Sequence, residues 1–191
     1  MKKLIILIVF LIVGCTAKTK IPIPNENLIP DIAEEAFDRA NNGSYEKVAL
    51  LATQLVSGTN YMFLVKNNEE WKIVVVYNTF DNKSEIKSVK PFNIDKYKTN
   101  NTINIDNIVG SWKVEESIRP GKLNDEKLQN NFEKATKNYK LLPITSLIEE
   151  KNTNYILCIN IEKEKRKLSI VGIKNDKLLS ISDVNVENYT D

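Results

Sequence analysis

Few side chains in this sequence are equipped for chemistry. Histidine is absent, which removes Ser–His and Cys–His dyads and the commonest metal ligand. The two cysteines, Cys15 and Cys158, are far apart, so no CxxC pair exists to hold a metal or exchange electrons. Glu34 and Asp38 stand four apart, on one face of any helix that carries them. Such a pair could do acid–base work, but a solvated helix face is the simpler use. Glu149 and Glu150 are adjacent, so a strand would point them to opposite faces and a turn would leave both in water. No phosphate-cradling glycine loop follows a strand. The chain therefore reads as a non-enzyme with no cofactor and no metal.

Its first residues read as an address. Lys2 and Lys3 precede an apolar run, Leu4 to Val13, too short to span a bilayer and typical of a secretory leader. The run closes with Ile12-Val13-Gly14-Cys15, which resembles a bacterial lipobox. That resemblance implies cleavage after Gly14, acylation of Cys15 and a lipid tether to the membrane. Thr16 follows the cysteine where an Asp would resemble a retention signal, so in a two-membrane bacterium the outer membrane is expected. Residues 15–24 form the tether, with Pro22 and Pro24 favouring extended backbone.

Removing residues 1–14 leaves 177 (191 − 14), with 25 basic groups (27 − 2) against 25 acidic ones. A chain so balanced has no bulk electrostatic reason to bind nucleic acid. Once Cys15 carries lipid, Cys158 lacks a disulfide partner; inside YILCINI it reads as a small core hydrophobe.

The positioning elements begin with a helix over residues 29–42, where Ile29, Ile32, Ala33, Ala36, Phe37 and Ala40 share one face and Gly43 stops the run. Apolar residues then climb from Val48 to Val56 and resume from Tyr61 to Val65, across Ser57-Gly58-Thr59. This is a hairpin pattern, with Gly58 expected to supply a positive φ at the turn. Further strands follow at Trp71–Tyr77 and Glu85–Phe92.

Within the hairpin, Gln54-Leu55-Val56-Ser57-Gly58 fits the QxVxG signature, and Thr59-Asn60-Tyr61 extends the match. On these residues the chain resembles the cystatins. The resemblance implies an α+β fold with one helix packed on a curled antiparallel β-sheet. It also implies reversible inhibition of papain-like cysteine proteases, the partner class, by a hairpin wedged into the active-site cleft. Gln54, Leu55, Val56, Ser57 and Gly58 would make the contact. A cystatin's other two wedge elements are missing: residues 21–28 hold no glycine, and the second hairpin has Phe80 in place of Pro-Trp. The alternative reading is a non-inhibitory scaffold of the cell envelope that holds a protein or peptide by a sheet edge.

The pattern recurs. Thr59-Asn60-Tyr61 returns as Thr153-Asn154-Tyr155, 94 residues on, and Ser88, Asn93 and Tyr97 return as Ser180, Asn185 and Tyr189, 92 on. A second helix is expected over residues 125–138, capped by Asn124, with Leu128, Phe132 and Ala135 on one face. A repeat this long predicts tandem cystatin-like domains, 25–97 and 105–191, joined by a linker at 98–104. At an offset of 94, Gln54, Val56 and Gly58 correspond to Ile148, Glu150 and Asn152, so only the first copy keeps QxVxG. Trp112 is expected on a first strand of the second copy, packed on its helix.

Overall fold

The computed structural model describes residues 29–98, 112–114, 121–163 and 165–189. The leader, Cys15, the tether and almost all of the expected linker lie outside these residues. In order come α1 (Asp31–Ala40), β1 (Glu46–Leu55), β2 (Gly58–Asn67), β3 (Glu70–Thr79), β4 (Ser84–Pro91) and a 3₁₀ turn (Ile94–Tyr97). The same order then repeats: α2 (Glu126–Ala135), β5 (Leu141–Glu150), β6 (Thr153–Glu162), β7 (Lys165–Lys174), β8 (Lys177–Asp183) and a 3₁₀ turn (Val186–Tyr189). Each set of strands forms a four-stranded antiparallel meander.

Each strand is sorted into two faces by the period of two. In β2 and β3, Met62, Leu64, Ile73 and Val75 point inward, while Tyr61, Phe63, Val65, Val74 and Val76 point outward. In β6 and β7, Leu157, Ile159, Leu168 and Ile170 point inward, while Ile156, Cys158, Val171 and Ile173 point outward. The inward residues of both sheets belong to one core, with Trp112, Phe92, Tyr97, Val184 and Tyr189. Ala33, Ala36 and Phe37 of α1 cover the outer face of the first sheet, and Phe132 of α2 covers that of the second.

This corrects the expected α+β architecture of tandem cystatin-like units. The protein is mostly β: among the described residues, two four-stranded sheets share a core, with two short α-helices outside them. The reason is in the strands themselves. Met62–Val65, Ile73–Val76 and Ile156–Ile159 are each buried at four consecutive positions. A sheet with one face in water would alternate; these are covered on both sides.

Edge strands β1 and β5 each slip register twice, at Val48 and Leu51 and at Ile144 and Leu147. These bulge residues join the shared core or pack against it. Extra residues of this kind bend and twist an edge, which blunts it as a template for another strand. Polar contacts also bind the halves. Trp71 Nε1 donates to the Leu147 carbonyl at 3.1 Å, and Lys98 pairs with Glu150. The hydroxyls of Tyr97 and Tyr189, repeat equivalents 92 residues apart, meet at 2.9 Å. Equivalent residues in mutual contact mark a pseudo-twofold axis between the halves.

The repeat period is corrected as well. Asp31 and Glu126, Glu46 and Leu141, Gly58 and Thr153, and Glu70 and Lys165 open matching elements, each pair 95 residues apart. The Thr-Asn-Tyr recurrence at 94 is one residue out of step. Tyr61 accordingly faces outward beneath α1, whereas Tyr155 faces the shared core. The equivalents of Gln54, Val56 and Gly58 are therefore Glu149, Lys151 and Thr153. Asp125, not Asn124, caps α2, accepting from the Leu128 amide at 2.9 Å.

Candidate functional site

The QLVSG residues occupy the β1–β2 tip. Gln54 and Leu55 end β1, Val56 and Ser57 make the bend, and Gly58 opens β2. A hydrogen bond from the Val56 amide to the Gly58 carbonyl, 3.0 Å, closes the bend. Leu55 is 77% exposed and Val56 43%. The β3–β4 turn lies at the same end of the sheet, since Gly58 pairs with Thr79, and it carries Phe80 at 78% exposure. Thr79 and Asp81 fix that turn: the Thr79 hydroxyl donates to Asp81, and the Lys83 amide donates back to Thr79 Oγ1 at 3.0 Å. Lys83 and Thr79 hold the Asp81 carboxyl below its usual range. Three exposed apolar side chains thus stand on two braced turns at one end of the sheet.

Gly58 does not take the positive φ expected of it; among the described glycines only Gly43 does, at 85°. Its role is close approach. A Cβ on Gly58 would lie 2.4 Å from the Asn78 carbonyl oxygen and 2.8 Å from the Tyr77 ring. Asparagines supply most left-handed turn positions instead: Asn68, Asn82, Asn152 and Asn175. At the second tip, Lys151 and Asn152 are both left-handed, the type I′ pattern of a two-residue hairpin.

Behind the first tip lies a cleft of about 570 Å³ on the inner face of sheet one. Gln54 and Asn60 form part of its wall, joined by a hydrogen bond from Asn60 Nδ2 to Gln54 Oε1 at 2.8 Å. Val56 and Ser57 reach it from the tip, Tyr77 and Val75 from β3, and Lys87 and Ser88 from β4. The Tyr77 hydroxyl donates to the Ser57 carbonyl at 3.2 Å, tying the bend to β3. Lys87 lies 5.2 Å from the centroid of the Tyr77 ring and pairs with Glu85, which keeps the ammonium protonated beyond its ordinary range.

Trp112 closes the cleft beside β1. Its neighbour Lys113 exchanges two 2.9 Å backbone hydrogen bonds with Thr53, extending the sheet by one bridge. Trp112 therefore packs in the shared core by the first sheet and not on α2 as expected. Sequence reading named Gln54, Val56 and Ser57 but missed Asn60, Tyr77, Lys87, Ser88 and Trp112. The signal was available in part: Asn60 alternates in phase with Met62 and Leu64, and Tyr77 with Ile73 and Val75.

Groups that suggested chemistry are otherwise engaged. Lys47 bridges Glu34 at 2.7 Å and Asp38 at 3.1 Å, joining α1 to β1. Cys158 is fully buried, donates to the Ser169 carbonyl, and has its thiol pushed up by burial. It should resist thiol reagents in the native protein and react at full rate in denaturant; rapid native labelling would contradict this burial. No group of three or more metal-ligating side chains occurs among the described residues. Nor is any described helix long and apolar enough to cross a membrane.

No family model, curated protein or solved structure matches the chain. Nothing outside the sequence thus identifies a cystatin relationship, and the reading of function rests on the site's own geometry.

Proposed function

We propose that the protein is a non-enzymatic binding module of the cell envelope, tethered by lipid on Cys15, that docks a protein partner with the first-half tip. The observation that carries this is the joint exposure of Leu55, Val56 and Phe80 on two neighbouring turns. Burying one such side chain yields roughly 1.5–3 kcal/mol, and preformed turns lose little entropy on docking. The equivalent second tip carries Glu149, Glu150 and Lys151, whose charges oppose entry into an apolar pocket.

Photo-crosslinkers placed at Leu55 and at Phe80 in intact cells test the reading. Both positions should trap the same adduct, Val56→Asp should abolish it, and a crosslinker at Ile32 on α1 should not yield it. Adducts equally strong from Ile32, or indifferent to Val56→Asp, would refute tip docking.

One observation supports a narrower reading, reversible inhibition of papain-like cysteine proteases: the exposed tip is built from the QLVSG segment itself. Papain titrated with the protein should then lose activity, and Leu55→Asp should restore it. Full papain activity at micromolar protein would leave only the broader reading. The lipid tether is tested separately: Cys15→Ser should end incorporation of labelled fatty acid, and continued labelling would refute it.

A further inference from the structure

We propose that the cleft behind the tip binds a neutral carbohydrate, an oligosaccharide laid across the strands. Its wall residues come from all four strands of sheet one, from Gln54 on β1 to Lys87 and Ser88 on β4. Three inter-strand steps give about 14 Å at the usual ~4.8 Å spacing, the reach of a short oligosaccharide. The volume of about 570 Å³ falls within the range of small-ligand sites.

The lining selects the ligand class. Amides from Gln54 and Asn60 and hydroxyls from Ser57, Tyr77 and Ser88 supply donors and acceptors together, the mixture a polyhydroxyl ligand presents in return. Among the described wall residues only Val56 and Val75 are aliphatic, too little to retain an apolar ligand. Among the described residues Lys87 is the single charged one on the wall, and Glu85 already pairs with it. Among the described residues no uncompensated charge remains to recruit a phosphate or carboxylate.

The other half places different side chains at the equivalent positions. The cross-strand pair Asn60–Tyr77 corresponds to Tyr155–Gly172, in the same register 95 residues on. There the ring sits on the other strand: Tyr155 lies against Gly172 and packs on the shared core, with Lys98 over its face at 5.7 Å. In the first half the ring stands on β3 instead, and a short amide, Asn60, stands opposite it beside the cleft.

The test is calorimetric titration of the full chain with cellotetraose, maltotetraose and chitotetraose, with tetragalacturonate as the acidic comparison. At least one neutral tetrasaccharide should bind saturably. Asn60→Tyr, which copies the second half's ring, should weaken binding about tenfold or more. Ser57→Trp, at an exposed bend position that tolerates bulk, should do the same if Asn60→Tyr fails to fold. Leu55→Asp should leave sugar binding intact while removing tip docking, so this inference and the proposed function fail separately. Absence of binding to every neutral tetrasaccharide, preference for tetragalacturonate, or unchanged binding in a folded blocking variant would overturn the assignment.

Discussion

Replacing Gly58 with alanine should destabilise the protein by about 3 kcal/mol, the upper end for overpacking a filled site. The added methyl would meet the Asn78 carbonyl oxygen at 2.4 Å and the Tyr77 ring at 2.8 Å. A side chain can rotate away, but a carbonyl paired in the β2–β3 ladder cannot move without breaking its register. For a chain of this size that loss lowers the melting temperature by roughly 10 °C. Gly43→Ala is the comparison: open space surrounds it, but its φ of 85° strains any Cβ, so about 1 kcal/mol is expected. Thermal unfolding of both variants ranks them. If Gly43→Ala costs more than Gly58→Ala, close approach is not what Gly58 serves. Binding at the tip is accordingly better probed at Leu55 and Val56, whose side chains stand in water.

Truncating the shared core should have an effect of similar or larger size. Leu64 and Ile159 are fully buried and belong to the same cluster, although they lie in different halves. Leu64→Ala or Ile159→Ala should cost about 2–5 kcal/mol, the transfer free energy of the lost methyls plus the cavity left behind. Because the two side chains share one core, the double variant should depart from the sum of the singles. Strict additivity in chemical denaturation would indicate that the two sites are independent.

Much of the secondary structure was legible in the sequence because its signals are local. The strands flanking Ser57-Gly58, the helix within residues 29–42 and the strand over Trp71–Tyr77 follow from apolar runs, an apolar helix face and the stop at Gly43. The layering was legible too, but in a feature that a motif obscures. Met62-Phe63-Leu64-Val65 and Ile73-Val74-Val75-Val76 are unbroken apolar runs, as strands buried on both faces require. QLVSG suggested a sheet with one wet face, which such runs do not suit. The repeat illustrates how little identity fixes register: three matching residues at 94 outweighed the element lengths, which repeat at 95. A slip of one turns every side chain to the other face, and that is where Tyr155 lies relative to Tyr61. The cleft was the least legible part. It is assembled from residues 54 to 112, and no single run of sequence shows that Asn60, Tyr77 and Trp112 share a wall.

Two sheets sharing one core hold the tip and the cleft as parts of a single body. The two tryptophans, Trp71 and Trp112, both sit at the first sheet, so their fluorescence reports on that half. Circular dichroism reports on all eight strands. Ile159→Ala, placed in the second half, should lower the denaturant midpoint of both signals by the same amount in one cooperative transition. A tryptophan transition that stays at its original midpoint while the dichroism splits into two steps would contradict the shared core.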